Sequence, residues 1–104
     1  MALRRYVCDI TAVVPDELRS FPVEGLTWPV LATIVDGNVV VCQGVCPHED
    51  VSLVGGRLVG HSIICAAHGY RFDLRTGRCA HRKSLELRRY PVTLIADQVW
   101  VDLL

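Results

Sequence analysis

Short runs of Val, Ile and Leu recur along this chain of 104 residues, and nearly every run is closed by Gly, Pro, Asn or Asp. Runs of that length, rich in β-branched residues and punctuated by turn formers, predict strands. Residues 3–10 form the first. Residues 15–18, Pro-Asp-Glu-Leu, predict a turn or a single helical turn, with Asp16 and Glu17 suited to its start. Residues 29–35 and 38–43 flank Asp36-Gly37 and predict a hairpin, because Gly accepts the positive φ of a tight reversal. Residues 58–59 and 62–65 flank Gly60-His61 as a second hairpin. Residues 70–74 and 78–80 flank Arg75-Thr76-Gly77. Residues 86–94 and 99–103 close the chain around Ala96-Asp97-Gln98. No repeat or low-complexity segment interrupts the pattern, so an all-β fold is expected. The strands outside residues 44–80 are expected to form a separate β layer.

Composition narrows the class. Apolar residues make up 51% and charged residues 21%, which excludes a disordered chain and permits a single domain over residues 1–104 with its own core. The formal net charge is zero, so nothing supports nucleic acid as a partner. Charge is uneven, however. Residues 1–56 hold seven acids and three bases; residues 57–104 hold eight bases and four acids. That asymmetry bears on docking surfaces. No apolar run approaches the roughly 20 residues of a membrane span. Behind Arg4 and Arg5 there is no apolar secretory stretch. A cytoplasmic protein with no membrane association is expected.

Four residues carry the candidate chemistry: Cys46, His48, Cys65 and His68. They read as C-x-H, a gap of 16 residues, then C-x-x-H. Two thiolates and two imidazoles in two short loops make a metal site. Zinc fingers usually group their cysteines and their histidines separately. Here each loop offers one of each, which suits a two-iron cluster in which one iron takes both sulfurs and the other both nitrogens. A zinc-binding structural module built on the same four ligands is the alternative. Five cysteines form an odd set without framework spacing. Cys8, Cys42 and Cys79 lie in or beside apparent strands and read as reduced packing residues. His61, at a turn tip, and His81, in a basic loop, read as solvated rather than ligating.

The runs Cys46-Pro47-His48-Glu49-Asp50 and Cys65-Ala66-Ala67-His68-Gly69-Tyr70-Arg71-Phe72-Asp73 resemble the two cluster loops of Rieske ferredoxins, the small electron carriers of bacterial oxygenase systems. The resemblance implies a Rieske (ISP-like) fold: an antiparallel β-sandwich or barrel with a small cluster-binding subdomain of two loops, about residues 44–80. It implies a Rieske-type [2Fe–2S] cluster on Cys46, His48, Cys65 and His68, with the cysteine-bound iron inside and the histidine-bound iron near the surface. It implies one-electron transfer from an NAD(P)H-dependent flavin reductase to a terminal oxygenase, aromatic compounds being one expected substrate class. The chain would then be a monomeric electron-transfer component and not an enzyme in its own right. A Rieske-fold subunit of a larger redox enzyme is the other reading within this resemblance.

Two departures from the family matter. Respiratory relatives carry an extra cysteine in each loop and a hydroxyl residue after the second-loop Gly. Here those positions hold Val51, Ala67 and Tyr70. Fewer hydrogen bonds to the cluster sulfurs imply a potential toward the low end of the Rieske range. A Gly- and Pro-rich third loop often covers the cluster. Here that region is Ala80-His81-Arg82-Lys83-Ser84, so an altered cover is expected.

Overall fold

The computed structural model describes residues 3–67 and 69–103. Strand β3 (Val30–Val35) organises the fold. Five of its six residues are buried. A run that is apolar except for Thr33 suits a strand covered on both faces. It pairs antiparallel with β4 (Asn38–Gln43) through the Asp36-Gly37 turn, register Val30↔Gln43 to Val35↔Asn38. Asp36 (φ 52°) and Gly37 (φ 78°) both take positive φ, the conformation of a two-residue hairpin turn. β2 (Arg19–Phe21) adds to the far side of β3, and β8 (Arg89–Tyr90) to the far side of β4.

Two further sheets lie on either face of this one. The first has the order β1 (Arg4–Asp9), β10 (Gln98–Asp102), β9 (Val92–Ile95). The second is β5 (Arg57–Val59), β6 (Ser62–Ile64), β7 (Arg71–Asp73), all antiparallel. Side-chain alternation along β3 and β4 therefore feeds two cores. Val30, Ala32 and Val41 pack with Val7, Cys8, Val99 and Val101. Leu31, Val35 and Cys42 pack with Leu53, Ile63, Cys65, Phe72, Leu74 and Cys46. The second core is the floor under both candidate loops.

The fold is all-β, as the hydrophobic pattern indicates. Among the described residues the only helical turns are 3-10 turns at Ile10–Ala12 and Leu53–Gly55. Of the turn or single helical turn expected at residues 15–18, the turn forms and the helical turn does not. Pro15 instead bridges to Ile34, and Asp16 turns the chain at φ 64°. The strand expected over residues 86–94 is split by Pro91 into β8 and β9, which join different sheets. Proline has no N–H to continue a ladder, so it marks the point where the chain changes sheet. Residues 78–80 make only isolated bridges, Phe72↔Cys79 and Arg78↔Glu86. Among the described residues no helix is long and apolar enough to cross a membrane.

Candidate metal centre

Cys46 and His48 sit in the loop leaving β4. The loop is closed at its base by Leu53 N–H donating to Gly44 C=O (2.8 Å) and inside by Cys46 N–H donating to Val51 C=O (2.8 Å). Gln43 fixes the exit from the strand. Its Nε2 donates to Val45 C=O (2.7 Å) and its Oε1 accepts from Arg88 N–H (2.7 Å). Gly44 then lies so close to Pro29 that a Cβ would overlap the Pro29 carbonyl.

The second loop leaves β6 at Cys65 and returns at Tyr70. Cys65 N–H donates to Tyr70 C=O (2.8 Å), and Gly69 N–H donates to Cys65 C=O (2.9 Å). Gly69 takes φ 70°, a left-handed conformation that other residues adopt only at a cost.

Cys46 and Cys65 are 3% and 2% exposed, and their thiols are hydrogen-bonded to each other. Two loops 16 residues apart therefore bring two sulfurs together in an apolar floor. Burial pushes the Cys46 thiol up from its ordinary pKa, and the Cys65 sulfur adds to this. The backbone N–H groups of His48 and Glu49 act in the opposite direction by hydrogen-bonding the Cys46 sulfur. Such a thiol binds metal by giving up its proton, and the two N–H groups then face a thiolate. His48 is half-buried, at the rim rather than in the floor. His68 lies outside the described residues. Among the described residues no three His, Cys, Asp or Glu donors are gathered for one ion; a two-iron cluster asks for two protein donors at each iron. Paired buried sulfurs with an imidazole at the rim thus fit a cluster that is soft-ligated inside and nitrogen-ligated outside.

The cysteines read as packing residues behave as such. Cys8, Cys42 and Cys79 are buried and carry no disulfide. Burial pushes the Cys42 thiol up to about 12; burial, with Asp9 beside it, also raises that of Cys8. His61 is half-buried and His81 exposed, yet neither is merely solvated. His61 Nε2 lies 2.9 Å from Asp36 Oδ1 and so links the β5–β6 turn to the β3–β4 turn. His81 Nδ1 accepts from Arg71 N–H (3.3 Å), and its ring stacks on Tyr70 (centroids 5.5 Å, 12°). Tyr70 in turn lies against His48 (4.2 Å, 37°). Of residues 80–84, His81 thus joins an aromatic stack with Tyr70 and His48.

These features define an all-β protein in which two loops bring two buried thiols together beneath an imidazole. The chain belongs to the Rieske [2Fe-2S] domain family, which it matches over residues 4–91, and it carries a Rieske-type [2Fe–2S] cluster. The family match sets aside the zinc reading. It is 35% identical over 104 residues to the biphenyl 2,3-dioxygenase ferredoxin component of Rhodococcus jostii (strain RHA1), an alignment covering 99% of this chain and 94% of that protein. It is 39% identical over 70 residues to the p-cumate 2,3-dioxygenase system ferredoxin component of Pseudomonas putida, spanning 65% of this chain but only 59% of that one. Among solved structures, Sphingomonas yanoikuyae B1 ferredoxin superposes with TM-score 0.85 at 29% identity, covering 95% of this chain and 97% of that one. A ferredoxin solved in complex with the oxygenase of carbazole 1,9a-dioxygenase gives TM-score 0.82 at 26% identity, covering 95% and 92%.

Proposed function

We propose that Cys46 and Cys65 hold one iron, that His48 and His68 hold the other, and that the chain is a one-electron carrier serving a terminal oxygenase. The observation that carries this reading is the pair of mutually hydrogen-bonded buried thiols with an imidazole at the rim of the same loops. The cluster supplies a site for one electron at a potential above that of all-cysteine plant-type centres, because two neutral imidazoles replace two thiolates. The protein's own residues do the rest. The apolar floor keeps water from the sulfurs, the N–H groups of His48 and Glu49 offset thiolate charge, and His48 marks the surface through which the electron leaves.

On this reading the chain is a single domain over residues 1–104, with residues 44–80 as its cluster-binding part. It is an electron-transfer component and not an enzyme. It is cytoplasmic; its electron comes from an NAD(P)H-dependent flavin reductase, and its acceptor is a terminal oxygenase, with aromatic compounds as the substrate class. It works as a monomer. The names of its relatives support the oxygenase and the aromatic class; the solved ferredoxin–oxygenase complex supports docking between the two components.

Anaerobic purification followed by iron and sulfide analysis, visible absorption and EPR tests the ligand set. Two irons and two sulfides per chain and a Rieske-type EPR signal after reduction are expected. Replacing Cys46, His48, Cys65 or His68 by Ala is expected to abolish that signal. A variant that keeps it removes that residue from the set, and stoichiometric zinc in place of iron overturns the reading altogether.

A further inference from the structure

We propose that Tyr70 and His81 are positioning residues for the His48 imidazole: the three rings form one stack that holds the His48 ring plane and keeps water from one of its faces. The proposal rests on the reading of His48 as an iron ligand.

Three observations carry it. The first is ring geometry. Tyr70 lies 4.2 Å from His48, and His81 lies 5.5 Å from Tyr70 and nearly parallel to it. Tyr70 is only half-buried, although it immediately follows the glycine of the second loop, so its outer face needs a cover.

The second is how that cover is fastened. Ala80 N–H donates to Arg71 C=O (2.9 Å), and Arg71 N–H donates back to Nδ1 of His81 (3.3 Å). The His81 side chain thus completes a reciprocal pair that ordinary strand pairing would have closed with a backbone carbonyl. An Nδ1 that accepts leaves the ring proton on Nε2. The imidazole is therefore fixed in position and tautomer rather than free to rotate in solvent.

The third is that Tyr70 closes the second loop while its ring touches His48 of the first. Tyr70 C=O accepts from Cys65 N–H (2.8 Å), so the residue bearing the middle ring also closes the loop that carries a cysteine ligand. A shift of Tyr70 is felt by both loops. Nothing in the amino-acid spacing would reveal this, because residues 48, 70 and 81 belong to three separate segments.

The sign of the effect follows from charge. Two thiolates and two neutral imidazoles leave the oxidised centre formally neutral and the reduced centre negative. Apolar cover disfavours the charged state. The electron-rich face of Tyr70 near an imidazole that donates to iron favours the more positive, oxidised state. Removing either ring beyond His48 therefore stabilises the reduced state, and the potential rises.

The test uses the holoprotein and four variants: Tyr70→Leu, Tyr70→Phe, His81→Ala and His81→Phe. Cluster content is read by iron analysis and absorption, the potential by voltammetry, and the histidine-nitrogen couplings by pulsed EPR. Expected are wild-type couplings and potential in Y70F, which keeps the ring. Y70L and H81A are expected to show a higher potential and altered nitrogen couplings at full cluster content. H81F, which keeps a ring but loses the acceptor, is expected to fall between H81A and wild type. Since Y70L can fail to assemble, H81A at its exposed position carries the decision. Unchanged couplings and potential in fully loaded H81A overturn the proposal. Absence of histidine-nitrogen couplings in the wild type overturns instead the assignment of His48 as a ligand.

Discussion

Gly69 shows how one residue type can fix a loop. Its φ of 70° lies in the left-handed region, and no described heavy atom lies within 4 Å of where a Cβ would stand. Gly69→Ala therefore meets backbone strain and no clash, so a loss of about 1–2 kcal/mol is expected, read as a drop in thermal midpoint of about 4–8 °C per kcal/mol for a chain of this size. A midpoint equal to wild type would show that the loop relaxes without this conformation. The three remaining cysteines make the opposite case. Cys8, Cys42 and Cys79 fill the two cores and form no bridge. The triple Ala variant is expected to keep its full cluster content while losing about 0.5–3 kcal/mol per buried site; a folded triple variant that binds no cluster would contradict the packing role. At this scale the candidate ligands and the special glycine were legible, since ligand chemistry and positive φ are written in residue type. The roles of Gln43, Tyr70 and His81 were not, because each depends on a partner far away in sequence.

Among the elements, the β7 turn is where acidity acts on the fold. Asp73 accepts from Arg75 N–H (2.8 Å) and from the guanidinium through both oxygens (3.3 Å each). The Arg75 guanidinium, helped by that N–H and by nearby His61, holds the Asp73 carboxyl below its ordinary range despite some desolvation. A carboxyl depressed in the folded state stabilises above its unfolded pKa, and the contribution is lost as pH falls through the folded value. Wild type is therefore expected to exceed Asp73→Asn in stability at neutral pH, with the gap closing below about pH 4. Denaturant titrations at neutral and acid pH measure it; a gap independent of pH would exclude this carboxylate as the cause. Hairpins such as β3–β4 were legible because their turn residues are local signals. Which sheet a strand joins was not. The short β2 has no alternation to read, and Pro91 divides one apolar run between two sheets. Only the packing of whole sheets decides such cases.

Across the whole molecule, the uneven charge of the sequence acquires a location. Glu49 and Asp50 are exposed beside His48, while Arg71, Arg82 and Lys83 are exposed around the His81 end of the ring stack. The candidate site thus has an acidic and a basic flank. Charges at the rim of a contact govern encounter rate more than the bound complex, and salt screens them over about 8–10 Å. Reversing Arg82 and Lys83 to Glu is expected to alter the rate of electron delivery to an oxygenase at low salt, with the difference fading at high salt and the potential little changed. Identical stopped-flow rates at low salt would remove this flank from the docking face.

The doubly buried middle sheet limits what could be transplanted. A graft of residues 44–80 onto another β framework would leave behind Leu31, Val35 and Cys42, which belong to the same core as Cys46 and Cys65. The portable unit is therefore discontinuous: the contiguous segment together with one face of β3 and β4. An engineer who moves the loops alone would carry the ligands and lose the floor beneath them.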